Sequence, residues 1–187
     1  MAQPTSFLSP PAEPPGGAQA LIEISIADQL LRITSGGACH LYPVSTAANG
    51  AGEQEGSEKT PRGWHRVRAC VGDGMPLNTV FRGRRVTGEI YSPELAAQFP
   101  RRDWILTRIL WLQGLEVGYN RMGGVDSMRR YIYIHGTPDS EPVGVPRSHG
   151  CIRMRNEDVR ELSGLIRAET LVWIQEHSFS RIPCLSV

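Results

Sequence analysis

No sign of charge dominates this chain. The 20 Lys and Arg stand against 19 Asp and Glu, a formal net charge of +1 at pH 7, so no field exists to gather nucleic acid or an anionic lipid surface. Long apolar runs are missing too. The most apolar stretch, residues 104–112, is interrupted by Thr107 and Arg108 and falls far short of the ~20 residues a membrane helix needs. Residues 1–19 lack the basic start and apolar core of a secretory signal. The expected location is therefore the cytoplasm, or the periplasm if a leader has been removed. The four cysteines are far apart, and neither Cys-x-x-Cys nor His-x-x-x-His occurs, which argues against a disulfide framework and against the usual zinc spacings. Cys39, Cys70 and Cys184 read as small buried hydrophobes. No internal repeat or heptad pattern is found.

What remains is a chain of 187 residues, enough for one domain that buries roughly 70% of its unfolded-chain surface. Residues 1–19 hold five prolines and Gly16-Gly17, and read as an extended tail. The domain is expected over residues 20–176, with a C-terminal tail over 177–187. Strands dominate the pattern. Ile22, Ile24 and Ile26 alternate with Glu23 and Ser25, the period of a half-buried strand. Residues 30–34 and 40–44 continue a meander around the turn Ser35-Gly36-Gly37. Residues 64–71, 86–91 and 171–174 are further strand candidates, and the glycine-rich residues 47–63 form a long, functional or mobile loop. Ser92-Pro93-Glu94 starts a short helix ending near Gln98. Residues 104–112 suit a buried strand or a buried helix, and helix is the preferred reading. Asn156 caps a helix that carries Val159, Leu162, Leu165 and Ile166 on one face.

The chemistry concentrates in Ile134-His135-Gly136-Thr137 and Ser148-His149-Gly150-Cys151-Ile152-Arg153-Met154. Thiol catalysis needs a base near the sulfur, because the thiolate is the nucleophile and a free cysteine is mostly protonated at neutral pH. It also needs backbone N–H groups to hold an oxyanion, and Gly150 adds no side chain to block a substrate. His135, Cys151 and such donors all fall within this short region. Two other readings of the residues stand beside this one. His135 can simply end a strand, and His135, His149 and Cys151 are possible zinc ligands, although their spacing is not a usual one.

Residues 134–154 resemble the signature of the YkuD-type L,D-transpeptidase catalytic domain: an upstream His-Gly or His-Ser, a spacer, then Ser/Thr-x-Gly-Cys and often Ile-Arg. The likeness extends over about residues 20–176. It takes in the opening hairpin of residues 22–26 and 29–33, Tyr42-Pro43-Val44-Ser45-Thr46, and the turn Lys59-Thr60-Pro61-Arg62-Gly63. Arg153 departs from the Asn that many secreted members carry two residues after the cysteine. Residues 49–54, 81–85 and 102–106 resemble a signal-less branch that trims tetrapeptides to tripeptides in murein recycling.

The resemblance implies a mainly β sandwich or barrel with a few short helices. It further implies an enzyme acting on peptidoglycan stem peptides in tetrapeptide-containing muropeptides with no cofactor or metal, beside the absence of a nucleic-acid or membrane partner already expected from charge and hydropathy. Cys151 would be the nucleophile, His135 the base, and Gly136 the residue whose carbonyl orients the imidazole. Gly150, Cys151 and His149 would supply oxyanion donors. Arg153, Ser148, Arg130 and Arg129 would contact substrate, Arg153 by gripping the terminal D-Ala carboxylate. The alternative for Arg153 is an ion pair with Glu157 or Asp158, and for Ser148 and His149 a role in shaping the loop. Water as acceptor, giving L,D-carboxypeptidase activity, is preferred over an amine, which would give a crosslink or D-amino acid exchange. A binding module that grips stem peptides without turnover is a further alternative.

Overall fold

Alternating Ile22 and Ile24 place β1 (Ala20–Ser25) in the core, and β2 (Leu30–Ser35) and β3 (Ala38–Pro43) follow as an antiparallel meander. The computed structural model describes residues 20–179. The β2–β3 turn is Gly36-Gly37, both at positive φ, the left-handed pair that a tight hairpin turn demands. β1 is buried on both faces: Glu23 and Ser25 are covered as well as the isoleucines, and Glu23 is satisfied by Arg32 at 2.8 Å.

The remaining strands are β4 (Gly63–Val71), β5 (Thr79–Arg82), β6 (Arg85–Ile90), β7 (Ile105–Gly114), β8 (Tyr133–Gly136), β9 (Ile152–Met154) and β10 (Leu171–Gln175). They join one curled sheet in the order β3-β2-β1-β10-β4-β7-β5-β6, with β8 added to β7 and β9 to β8. The fold is mainly β. Two short helices accompany the sheet, α1 (Pro93–Gln98) and α2 (Asn156–Leu165). Among the described residues no helix is long and apolar enough to cross a membrane.

Within residues 104–112 the chain enters β7 at Ile105, so the segment is the strand of the two readings and not the preferred helix. One edge of β7 pairs with β4 and then β5, and the other edge pairs with β8. Leu110 and Leu112 pack into the main core while Ile109 and Trp111 pack beside Phe81 and Tyr133, so both faces are covered and the alternation that marks a strand is erased. Ser92 caps α1 as expected, its hydroxyl accepting from the Leu95 amide. Asn156 does not cap α2. Arg155 occupies that position without a side-chain bond, while Asn156 is buried and bonds away from the helix.

The main core lies between the sheet and α2, where Ile22, Ile24, Leu110, Ile134, Ile152 and Met154 meet Val159 and Leu162. Leu165 and Ile166 pack against its edge. A smaller cluster, Phe81, Ile109 and Tyr133, carries Cys151 on its flank. Two cysteine readings are corrected: Cys70 is exposed, and Cys39 is disulfide-bonded. Residues 177–179, expected to begin a tail, are tied down. Ser25 Oγ donates to the His177 carbonyl and the Phe179 amide to Asp28 Oδ2. Cys184 and the expected tails over 1–19 and 180–187 lie outside the described residues.

Candidate active site

Period-two alternation along Tyr131-Ile132-Tyr133-Ile134-His135 sends Ile132 and Ile134 into the core and leaves Tyr133 and His135 on the other face. His135 is buried on β8, between β7 and β9. Its Nδ1 stands 2.8 Å from the Gly136 carbonyl. A carbonyl only accepts, so Nδ1 carries the hydrogen and Nε2 keeps a free lone pair. Burial lowers the imidazole pKa below its ordinary value; the Gly136 bond and Asp103 oppose this, and Arg153 adds to it. The ring is thus neutral at pH 7, with its basic nitrogen turned from the carbonyl. Gly136 cannot carry a side chain, since a Cβ there would lie 2.4 Å from Asn156 Oδ1 and 2.7 Å from the Leu106 carbonyl.

Parallel pairing of β8 and β9 sets Ile134 beside Ile152 and His135 beside Arg153. Cys151, one residue before β9, is half-buried and shares a cleft of about 510 Å³ with His135. Its thiol donates to the Tyr131 carbonyl at 3.4 Å. Burial pushes the thiol up to about 12, against the pull of the Tyr133 amide and the Arg153 and Arg130 guanidiniums, with Asp103 adding to the rise. The resting pair is therefore thiol and neutral imidazole, an arrangement suited to general-base attack rather than to a standing thiolate.

The turn before Cys151 is built by hydrogen bonds. Ser148 Oγ donates to the Cys151 carbonyl and accepts from the Gly150 amide at 3.1 Å. Ser148 is buried and shapes the loop, and the Gly150 N–H, expected to serve an oxyanion, is engaged by that hydroxyl. His149 is exposed on the cleft wall. Gly150 has φ +128, and a Cβ there would press on Ile132 and the Lys59 carbonyl. Thr60, fully buried, donates to the Gly150 carbonyl and accepts from the Ala47 amide, both at 3.0 Å.

The three arginines separate. Arg153 pairs with Asp103 at 2.9 Å on the cleft wall, not with Glu157 or Asp158; Glu157 takes Arg160 instead. A residue 50 positions earlier in the chain thus outcompetes the adjacent helix turn. Arg130 donates to the carbonyls of Gly52, Glu53 and Lys59, so its guanidinium holds the 47–63 loop rather than standing free for substrate. Arg129 is exposed and does not line the cleft. Among the described residues no group of three or more His, Cys, Asp or Glu could hold a metal ion.

The L,D-transpeptidase catalytic domain family, YkuD, matches residues 19–174. The chain belongs to this family. Solved structures agree on the fold. L,D-transpeptidase 3 from Mycobacterium tuberculosis is 16% identical with a TM-score of 0.53, over 86% of this chain and 62% of its own. An L,D-transpeptidase from Enterococcus faecium, solved as a cysteine mutant, is 14% identical with a TM-score of 0.50, over 84% and 50%. This chain therefore spans between half and two thirds of those proteins' lengths. None of the curated proteins matches it.

Within this L,D-transpeptidase domain several cleft residues went unassigned in the sequence. Arg84 and Asp103 lie in segments 81–85 and 102–106, which carried family likeness but no hint of which side chain faces the site. Arg84 donates to Tyr133 Oη at 3.0 Å and lies over the Trp111 and Tyr131 rings. The tyrosines were visible as the odd members of an alternating strand. Thr60 was visible only as part of a turn, because its bond to Gly150 spans 90 positions.

Proposed function

We propose that this domain is a cysteine acyl-transfer enzyme acting on peptidoglycan tetrapeptide stems, with water as final acceptor. The observation that carries the reading is a buried, neutral His135, its Nδ1 fixed by Gly136, in one cleft with the thiol of Cys151. Turnover begins when the thiol proton leaves the Tyr131 carbonyl for His135 Nε2 as sulfur attacks the carbonyl of the L-centre at position three. The tetrahedral oxyanion is met by backbone N–H groups of Cys151 and His149. Collapse breaks the peptide bond, the imidazolium gives its proton to the departing D-Ala amine, and a thioester stays on Cys151. His135 then takes a proton from water, the hydroxyl adds to the thioester, and the thiol is regenerated with a tripeptide stem.

Arg153, beside His135 in the β8–β9 register, is placed in this reading to receive the terminal carboxylate, with Asp103 orienting its guanidinium. The water reading is supported by the segments akin to the tetrapeptide-trimming branch, two of which contribute Arg84 and Asp103 to the cleft. Incubation with free tetrapeptide in H₂¹⁸O, with and without a D-amino acid, tests the acceptor by mass spectrometry. Tripeptide labelled in its new carboxylate is expected to dominate. Exchange product in excess over labelled tripeptide would make the enzyme a transpeptidase.

A further inference from the structure

Arg84 is held against aromatic rings in the catalytic cleft, and among the described residues no carboxylate pairs with it. It occupies the tip of the β5–β6 hairpin with Gly83, both at positive φ, the second central position of a tight turn where glycine or asparagine is the ordinary choice. A long cationic side chain in the left-handed region is strained, and such strain gathers at functional sites. From this turn the guanidinium lies 4.4 Å from the Trp111 ring centroid and 4.9 Å from that of Tyr131, with the Tyr133 hydroxyl at 3.0 Å. Tyr131 itself has φ +57. Arg84 lines the catalytic cleft, yet no Asp or Glu among the described residues forms an ion pair with it.

The position along β8 says which part of a substrate it would meet. Tyr133 and His135 share one face two residues apart, roughly 7 Å along the strand. Arg153 stands at the His135 end and Arg84 at the Tyr133 end. The leaving amine must lie by His135 to receive its proton, so the departing residue lies toward Arg153. The acyl half, which stays on the sulfur, extends toward Arg84.

We infer that Arg84 binds a carboxylate on the acyl half of the substrate and so makes the enzyme selective for acidic stem peptides. This rests on the acyl-transfer reading above. Two carboxylates qualify by chemistry: one ending the side chain of a dicarboxylic diamino acid, and one on an acidic residue preceding it. A planar guanidinium fixed between rings grips either by two parallel bonds.

The test measures kcat/KM for D-Ala release from four tetrapeptides: unmodified, and amidated singly at the side-chain carboxylate, at the preceding residue's carboxylate, or at the C-terminus. The enzymes are native, Arg84→Lys and Arg84→Gly; glycine relieves the turn, so the last variant keeps the hairpin. One acyl-half amide should cost the native enzyme about ten- to a hundredfold and cost Arg84→Gly less than about threefold, and its identity names the carboxylate. Arg84→Lys should fall between, and the penalty for the C-terminal amide should be the same in all three enzymes. Equal penalties for the acyl-half amides in native and Arg84→Gly would overturn the inference, as would a change confined to the C-terminal amide. Failure of the native enzyme to release D-Ala from any peptide would instead sink the acyl-transfer reading itself.

Discussion

His135 and Cys151 are each held in their uncharged form, because burial lowers the imidazole and raises the thiol to about 12. A neutral pair stays competent from the pH at which the imidazole loses its proton up to far alkaline pH. The acid limb of kcat/KM should therefore lie below the ordinary histidine value of about 6.5, with no alkaline rise near the usual thiol value of about 8.5. Iodoacetamide labelling of Cys151, followed by mass, should likewise stay slow until strongly alkaline pH. A labelling midpoint near neutrality would mean a standing thiolate–imidazolium pair and a different mechanism. Arg153 gives a second residue-level expectation. Arg153→Lys should lower kcat/KM about tenfold, since a charge-assisted bond is worth about 1.5–3 kcal/mol and an ammonium cannot copy a planar grip. Undiminished turnover in that variant would leave Arg153 as a partner of Asp103 alone.

At the scale of elements, the site depends on how loop 47–63 and the turn at residues 148–150 lock together. Thr60→Val keeps the shape but strands the Gly150 carbonyl and the Ala47 amide. A loss of about 1–3 kcal/mol in urea unfolding is expected, with turnover falling further than stability explains. Gly136→Ala, whose methyl meets Asn156 and the β7 backbone, should lose about 1–3 kcal/mol and most activity; a fully active, stable variant would contradict the packing described. These couplings explain what could be read beforehand. The meander, β4, α1 and the face of α2 announce themselves through local alternation, glycine turns and a capping serine. β7 does not, because apolar clusters cover both its faces and its residues lose the polar–apolar alternation of a half-buried strand. Asn156 was misread for a related reason: its amide serves Thr137 and Asp139 and its oxygen Thr107, partners that only the tertiary fold supplies. His135 and Cys151 stood out because their chemistry is local, whereas Arg84, Asp103 and Thr60 join the site by long-range pairing.

For the whole molecule, buried neutral histidines tie stability to pH. His65 is fully buried between Gly63 and Ser127, and burial lowers it to about 4. His135 is lowered in the same direction. The unfolded chain takes up these protons near pH 6.5 and the folded one does not, so their contribution is complete above that pH and is lost as pH falls through the folded values. For His65 the window from 6.5 to about 4 corresponds to about 3 kcal/mol. Urea midpoints should fall steadily from pH 7 to pH 4, and His65→Gln should flatten that slope. A pH-independent midpoint over this range in the native protein would contradict the neutral, buried state of both rings.

The central claim is that the thiol of Cys151 carries the acyl group while D-Ala departs. Its most direct measurement is intact-protein mass spectrometry during turnover of a free tetrapeptide, with D-Ala quantified in the same samples. The account predicts D-Ala release together with a transient tripeptide adduct on the peptide containing Cys151, and neither in a folded Cys151→Ala variant. Continued D-Ala release by Cys151→Ala, or an adduct on any other residue, would contradict it.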